Sequence, residues 1–173
     1  MFDKDYAFKG THAEKVKRLT SQFEGSNQLF ARNIDVYLMA PVVGFLYQKK
    51  GKLNNDGKQT NILYNELSKK VSDLKFIYSL IMLLDTKHEP DLDERINKAF
   101  RYFGTEKAKE DEELFEEYVR GGIDVLYDKL IEGATLPEDY MNNLYDFLEE
   151  INERYNQKID KVDIKDIFAS AKE

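Results

Sequence analysis

The chain has 173 residues, no cysteine, 42% apolar residues, 11 Phe, 11 Tyr and a formal net charge of −7. This length and aromatic content exclude an intrinsically disordered chain and predict a domain with its own core. The lack of cysteine excludes disulfides and thiolate metal sites, and it favours the cytoplasm over an oxidising compartment.

Charge is sorted along the chain. Residues 1–88 hold 14 Lys and Arg against 9 Asp and Glu, whereas residues 89–173 hold 12 against 24. This asymmetry constrains the charged partners of each half but names no reaction. The first residues are too charged for a secretory leader, and the apolar window 34–47 is shorter than the roughly 20 residues that cross a bilayer. The sequence therefore predicts no membrane partner. Separately, the chain has 20 Lys and 6 Arg, and this preference for lysine codons is typical of AT-rich bacterial or phage genomes.

Apolar residues recur at intervals of three and four, which predicts an all-α, single-domain bundle of six or seven helices over residues 1–173, with almost no strand. Thr11 and Glu14 have the spacing of a capping box and begin the first helix. Its apolar stripe is Ala13, Val16, Leu19 and Phe23. Gly25 ends this helix, and Ser26 is expected to cap the next.

The second helix carries a dense apolar pattern from Phe30 to Leu46 and is expected to be central. Pro41 lies within it and, because proline lacks a backbone donor, should kink or split the helix there. Residues 49–60 have no apolar period and are rich in turn formers and lysine, which predicts an exposed, mobile loop.

Four further helices are predicted from the apolar stripes that follow residue 66. One covers residues 67–84 with Leu84 inward, and a capping box at Asp91 and Glu94 begins a short helix. That short helix is expected to bury Leu92, Ile96, Phe100 and Phe103. Another runs over residues 106–131, and Pro137 begins the last, whose face includes Met141 and Leu148. The C-terminal tail, residues 159–173, allows a short helix around residues 164–171.

No catalytic, cofactor-binding or metal-binding residue is predicted. The acidic segment 88–94 lacks the spacing of a calcium loop, so its acids are interpreted as helix-capping groups. The glycines and lysine of residues 51–60 fail the phosphate-loop pattern in spacing and follow a helix rather than a strand. His12 and His88 are the only imidazoles, and both are expected to be solvated rather than catalytic.

Two sets of residues remain as candidate functional positions. The first set consists of basic residues of the first half that could contact nucleic acid: Lys15, Lys17, Arg18, Lys49, Lys50, Lys52 and Lys58. This signal is weak, and the simpler interpretation is that these residues form a solvated face. Gly121 and Gly122 interrupt a helix at a cost of about 1 kcal/mol each, which indicates either close packing against another helix or a hinge.

Three functions stay open at this stage. The sequence favours a non-enzymatic accessory protein that binds another protein through a helix face or associates with itself, because aromatic residues are abundant and no reactive motif is present. A nucleic-acid-associated accessory factor of a bacterial defence or mobile element is the second hypothesis. The third is a helical enzyme or ligand-binding bundle whose site is assembled from residues distant in sequence.

Overall fold

A computed structural model describes residues 1–159, and its fold is predominantly helical, as predicted. The helices are α1 (Gly10–Leu19), α2 (Asn33–Leu46), α3 (Tyr64–Leu67), α4 (Val71–Leu84), α5 (Leu92–Phe100), α6 (Lys109–Leu130) and α7 (Pro137–Ile159). Because a single 3₁₀ turn joins α3 to α4, the predicted count of six or seven is confirmed. The residues form two compact units that divide after Glu132. The helix expected around 164–171 lies outside the described residues.

Helices α2 and α6 form the largest contact in the first unit. Their buried side chains include Ile34, Tyr37, Phe115, Val119 and Ile123, all fully inaccessible to solvent. Pro41 does not split α2, which continues from Asn33 to Leu46 with the proline buried in its middle. Burial of the apolar residues around Pro41 offsets the backbone hydrogen bond that proline removes.

Two small antiparallel sheets depart from the prediction that strands are almost absent. β1 (Tyr6–Lys9) pairs with β4 (Gln59–Ile62), and β2 (Gln22–Glu24) pairs with β3 (Asn27–Gln28) around a turn at Gly25. Each strand has at most four residues, too few to produce a recognisable alternation. The last two residues of the predicted loop, Gln59 and Thr60, therefore lie in a strand.

Of the four predicted helix starts, two are wrong and two are confirmed. Helix α1 begins at Gly10 after the extended residue Lys9, and no side chain caps it, so the Thr11 capping box is wrong. Ser26 likewise does not cap α2, which begins seven residues later. The capping box at Asp91 is confirmed, because its Oδ1 accepts a hydrogen bond of 2.8 Å from the Glu94 amide. Pro137 occupies the first position of α7, as predicted.

Helices α4 and α5 form an antiparallel hairpin. The Ser79 hydroxyl donates to the Ala99 carbonyl at 2.7 Å, and the Arg95 Nε donates to the Leu83 carbonyl at 2.9 Å. The residue numbers of the contacting pairs increase along α4 while they decrease along α5, which shows that the two helices are antiparallel. Within residues 1–159, none of the helices combines the length and hydropathy needed to cross a membrane.

Candidate functional site

Several apolar residues predicted to be inward are exposed. On α4 and α5 these are Leu84, Leu92 and Phe100, and on α7 they are Met141 and Leu148. The predicted periodicity is present in each helix, but a second apolar stripe lies on the side that the core does not cover. The prediction was wrong because a helical period identifies a stripe without saying what packs against it.

The hairpin exposes two apolar stripes with the same spacing. They consist of Phe76, Leu80 and Leu84 on α4, and Leu92, Ile96 and Phe100 on α5, each at i, i+4 and i+8. Five of the six side chains are between 38% and 67% exposed, and Ile96 is half-buried. We call these six residues the α4–α5 face.

The two stripes lie on the same side of the hairpin. On each helix the stripe is rotated in the same sense from the residues that touch the other helix, which are Ser79 on α4 and Ala99 on α5. In an antiparallel pair, equal rotation from the contact line brings both stripes to one side. The α4–α5 face is therefore a continuous apolar surface about 12 Å long, at 1.5 Å of rise per residue.

The opposite side of the hairpin packs against the rest of the first unit. Leu74, Tyr78 and Ile81 on α4 are buried in the core. On α5, Lys98 approaches the buried carboxylate of Asp111 on α6 at 3.0 Å. Burial disfavours the ammonium form of Lys98, but the Asp111 carboxylate outweighs it and raises the lysine pKa. This ion pair joins the covered side of α5 to α6.

The predicted basic residues do not form one uninterrupted cationic surface. Three of them pair with carboxylates: Lys15 with Asp124 at 2.7 Å, Lys58 with Glu14 at 2.7 Å, and Lys50 with Glu117 at 4.0 Å. The other four are exposed, and within the described residues no carboxylate pairs with them: Lys17, Arg18, Lys49 and Lys52. Two of these lie on α1, and two lie after α2.

Gly121 and Gly122 lie where α6 meets the α2 region. A Cβ atom at Gly122 would stand 1.7 Å from the Ala40 carbonyl oxygen, and one at Gly121 would stand 1.9 Å from that of Lys49. On the opposing helix, a Cβ at Gly44 would stand 2.1 Å from the Tyr118 carbonyl oxygen. Glycine on both sides allows the two backbones to approach more closely than any side chain would permit.

A polar cluster that sequence reasoning missed lies beside this crossing. Glu116 accepts hydrogen bonds from the Tyr6 hydroxyl at 2.6 Å and the Tyr37 hydroxyl at 2.9 Å. Burial raises the pKa of Glu116 even though both bonds and the nearby Arg120 act in the opposite direction. The cluster joins β1, α2 and α6, which no local pattern could have indicated.

His12 is buried at 6% exposure, which corrects the expectation that it is solvated. It shares the inward face of α1 with Val16 and Leu19 at i, i+4 and i+7. Its Nε2 lies 3.5 Å from Asp124 Oδ1. Burial disfavours the Asp124 carboxylate, but His12 and Lys15 together outweigh it and lower the pKa of Asp124. His12, Glu116 and Arg120 are among the residues that line a cavity of about 160 Å³.

His88 remains partly exposed, with its Nε2 at 3.1 Å from Asp111. Of the acids that follow it, Asp91 caps α5, as described above. Among the described residues, no group of three or more His, Asp or Glu side chains is arranged to hold a metal ion.

Comparison with known proteins finds a match between the chain and a family model. No curated protein and no solved structure matches it. The model of the family described as DNA sulphur modification system-associated protein 4 matches residues 9–167, which is most of the chain. This protein therefore belongs to the DNA sulphur modification system-associated protein 4 family.

Proposed function

We propose that this protein is a non-enzymatic accessory component of a DNA sulphur modification system and that it acts by binding another protein molecule through the α4–α5 face. The observation that carries the proposal is that five exposed apolar side chains lie side by side on one hairpin, together with the half-buried Ile96. Scattered exposed apolar residues are ordinary, whereas a contiguous patch is typical of a binding surface.

The composition of the face supports a protein partner. Phe76 and Phe100 are aromatic residues about two-thirds exposed, and aromatic side chains are enriched at protein interfaces. Covering apolar surface contributes roughly 25 cal/mol for each Å² removed from water. Membership of a system-associated family supports the same proposal, because an accessory component acts beside other proteins.

Site-specific photo-crosslinking in cells that carry the system tests this proposal. A benzoylphenylalanine at position 84, on the face, should give crosslinks to a second protein molecule that mass spectrometry identifies as a component of the system or as another copy of the chain. Position 63 provides the matched control, because Leu63 is 55% exposed and Leu84 is 51% exposed. Equal crosslinking at both positions, or none at position 84, would contradict the proposal.

The unpaired cations support a second candidate function, contact with nucleic acid. Lys17, Arg18, Lys49 and Lys52 are exposed, and within the part of the chain that the structure describes they have no carboxylate partner. Cations of this kind are available to phosphate groups, and their binding weakens steeply as salt concentration rises.

Fluorescence anisotropy with duplex and single-stranded DNA, each with and without sulphur modification, tests this second function. Replacing Lys17 and Arg18 by Ala should weaken binding and reduce the slope of log affinity against log salt by about 1 for each phosphate group that the variant no longer binds. Lys58→Ala is the control, because Lys58 pairs with Glu14. Binding that is absent at low salt, or equally affected by all variants, would remove this function.

A further inference from the structure

Helix α7, in the second unit, carries an exposed apolar stripe of its own. Met141, Tyr145 and Leu148 recur at i, i+4 and i+7 and are between 56% and 67% exposed. At 1.5 Å of rise per residue the stripe is about 10 Å long, close to the length of the α4–α5 face. Its spacing is that of a helix that inserts its side chains into an apolar groove.

The charge of α7 is strongly acidic. Its residues 137–155 contain a single base, Arg154, which pairs with Glu150 at 2.7 Å. The acids in the same range are Glu138, Asp139, Asp146, Glu149, Glu150 and Glu153. Glu138 and Glu149 are exposed and lie next to the apolar stripe on the same flank of the helix.

The α4 edge of the α4–α5 face carries the opposite charge. Lys69 precedes α4 and Lys87 follows it, so an exposed lysine stands beyond each end of the stripe. The one exposed acid on α4, Asp73, is already paired with Lys70 at 2.9 Å. Two copies of this face packed with their α4 edges side by side would bring these lysines close to each other, whereas an acidic helix along that edge would neutralise them.

We propose that the α4–α5 face of one copy binds helix α7 of a second copy. The inference rests on the proposed function, in which this face binds a protein molecule, and it names that molecule. The two surfaces are complementary because their apolar stripes have similar length and because the α4 edge of the face and the Glu138–Glu149 flank of α7 carry opposite charges. Because the two surfaces are different, each copy offers both halves of the contact.

A charge-exchange experiment with the full chain tests this contact. One variant carries Lys69→Glu and Lys87→Glu, which makes its face acidic, and the other carries Glu138→Lys and Glu149→Lys, which makes its α7 more basic. Each variant alone brings like charges together and should have its self-association weakened about tenfold or more. In an equimolar mixture the acidic face meets the α7 flank that carries two lysines, and the unaltered face meets the unaltered, acidic α7. The mixture should therefore associate about as strongly as the unaltered protein.

Light scattering after size-exclusion chromatography, over a concentration series, measures the association. Recovery in the mixture is also the control for folding, because only folded variants can complement each other. An unaltered protein that is monomeric throughout, or variants that associate alone as well as they do together, would overturn the inference.

The crosslinking experiment separates this inference from the proposed function. If position 84 crosslinks only to a different component of the system, the face binds protein but α7 of a second copy is not its partner. If position 84 gives no crosslink and the protein is monomeric, both proposals fail. A crosslink from position 84 to a peptide of α7 in another copy supports both.

Discussion

The α2–α6 crossing and the α4–α5 hairpin have similar apolar sequence patterns, but the apolar stripes of the crossing are buried whereas the outer stripes of the hairpin are exposed. At the crossing, glycine and alanine bring the two backbones together, and the surrounding stripes are fully buried. In the hairpin, one side of each helix is covered and the other carries an equally regular stripe exposed to solvent. The stripes of the crossing therefore stabilise the fold, whereas the outer stripes of the hairpin remain available for another molecule.

The largest expected effect contrasts one phenylalanine from each region. Phe115 is fully buried and contacts the rings of Phe2, Tyr37 and Tyr78, so Phe115→Ala should lower the free energy of unfolding by about 3–5 kcal/mol. Phe76 is 67% exposed, so Phe76→Ala should cost about 0.5 kcal/mol or less. Urea denaturation of both variants at a concentration where the protein is monomeric provides the measurement, and similar losses would break the distinction between the two regions.

The crossing itself is tested by adding a single methyl group. In Gly122→Ala the new Cβ would meet the Ala40 carbonyl, a backbone atom that cannot rotate away, and we expect a loss of about 3 kcal/mol. Gly25→Ala serves as the comparison, because no atom lies within 4 Å of its Cβ position. Its positive φ of 57° should cost about 1–2 kcal/mol. A Gly122→Ala protein as stable as Gly25→Ala would show that the helices do not need this close approach.

A smaller effect is expected at the start of α5. Asp91→Ala removes the hydrogen bond to the Glu94 amide and should lower the unfolding free energy by about 1 kcal/mol. Asp93→Ala is the matched control, since Asp93 is an exposed acid in the first turn that does not cap the helix. Thermal denaturation followed by circular dichroism distinguishes the two, and equal shifts in Tm would exclude a specific capping role.

The smallest expected effect is a change in pH dependence at Glu116. Its pKa is raised in the folded protein, so the folded state binds a proton more tightly than the unfolded state. This contribution is fully present below the ordinary pKa of a glutamate and is lost as pH rises through the raised value. The stability of the natural protein relative to Glu116→Gln should therefore fall over a range that begins near pH 4, about the ordinary pKa of a glutamate, and extends upward through the raised value. A relative stability that stays constant or rises over this range would contradict the assignment, and urea denaturation at several pH values decides.

The helical architecture could be predicted because it depends on local periodicity. The positions of Asp91 and Pro137 identified two helix starts correctly, since capping and first-turn proline act within four residues. Thr11 has the same local pattern as Asp91, yet α1 starts one residue earlier, where the Gly10 amide donates to the Lys58 carbonyl at 2.9 Å. A contact with a residue 48 positions away replaced the local cap.

The candidate sites were harder to predict because each is assembled from distant residues. Glu116 acquires its partners from Tyr6 and Tyr37, and His12 meets Asp124 across the first unit. The exposed stripes of α4 and α5 were visible as apolar periods but were assigned to the interior, because a sequence pattern does not count how many sides of a helix are covered. The basic residues were identified as a set, but only their spatial neighbours separate the paired cations from the unpaired ones.

The pairing of β1 with β4 has a consequence for the order of folding. The strands are joined in register with Lys9 opposite Gln59, so everything between them, including α1 and α2, forms one closed segment of chain. Closing a segment of this length carries an entropic penalty that local helix formation does not. We therefore expect the helices to form first and the sheet to join late, acting as a clasp that holds an assembled helical core.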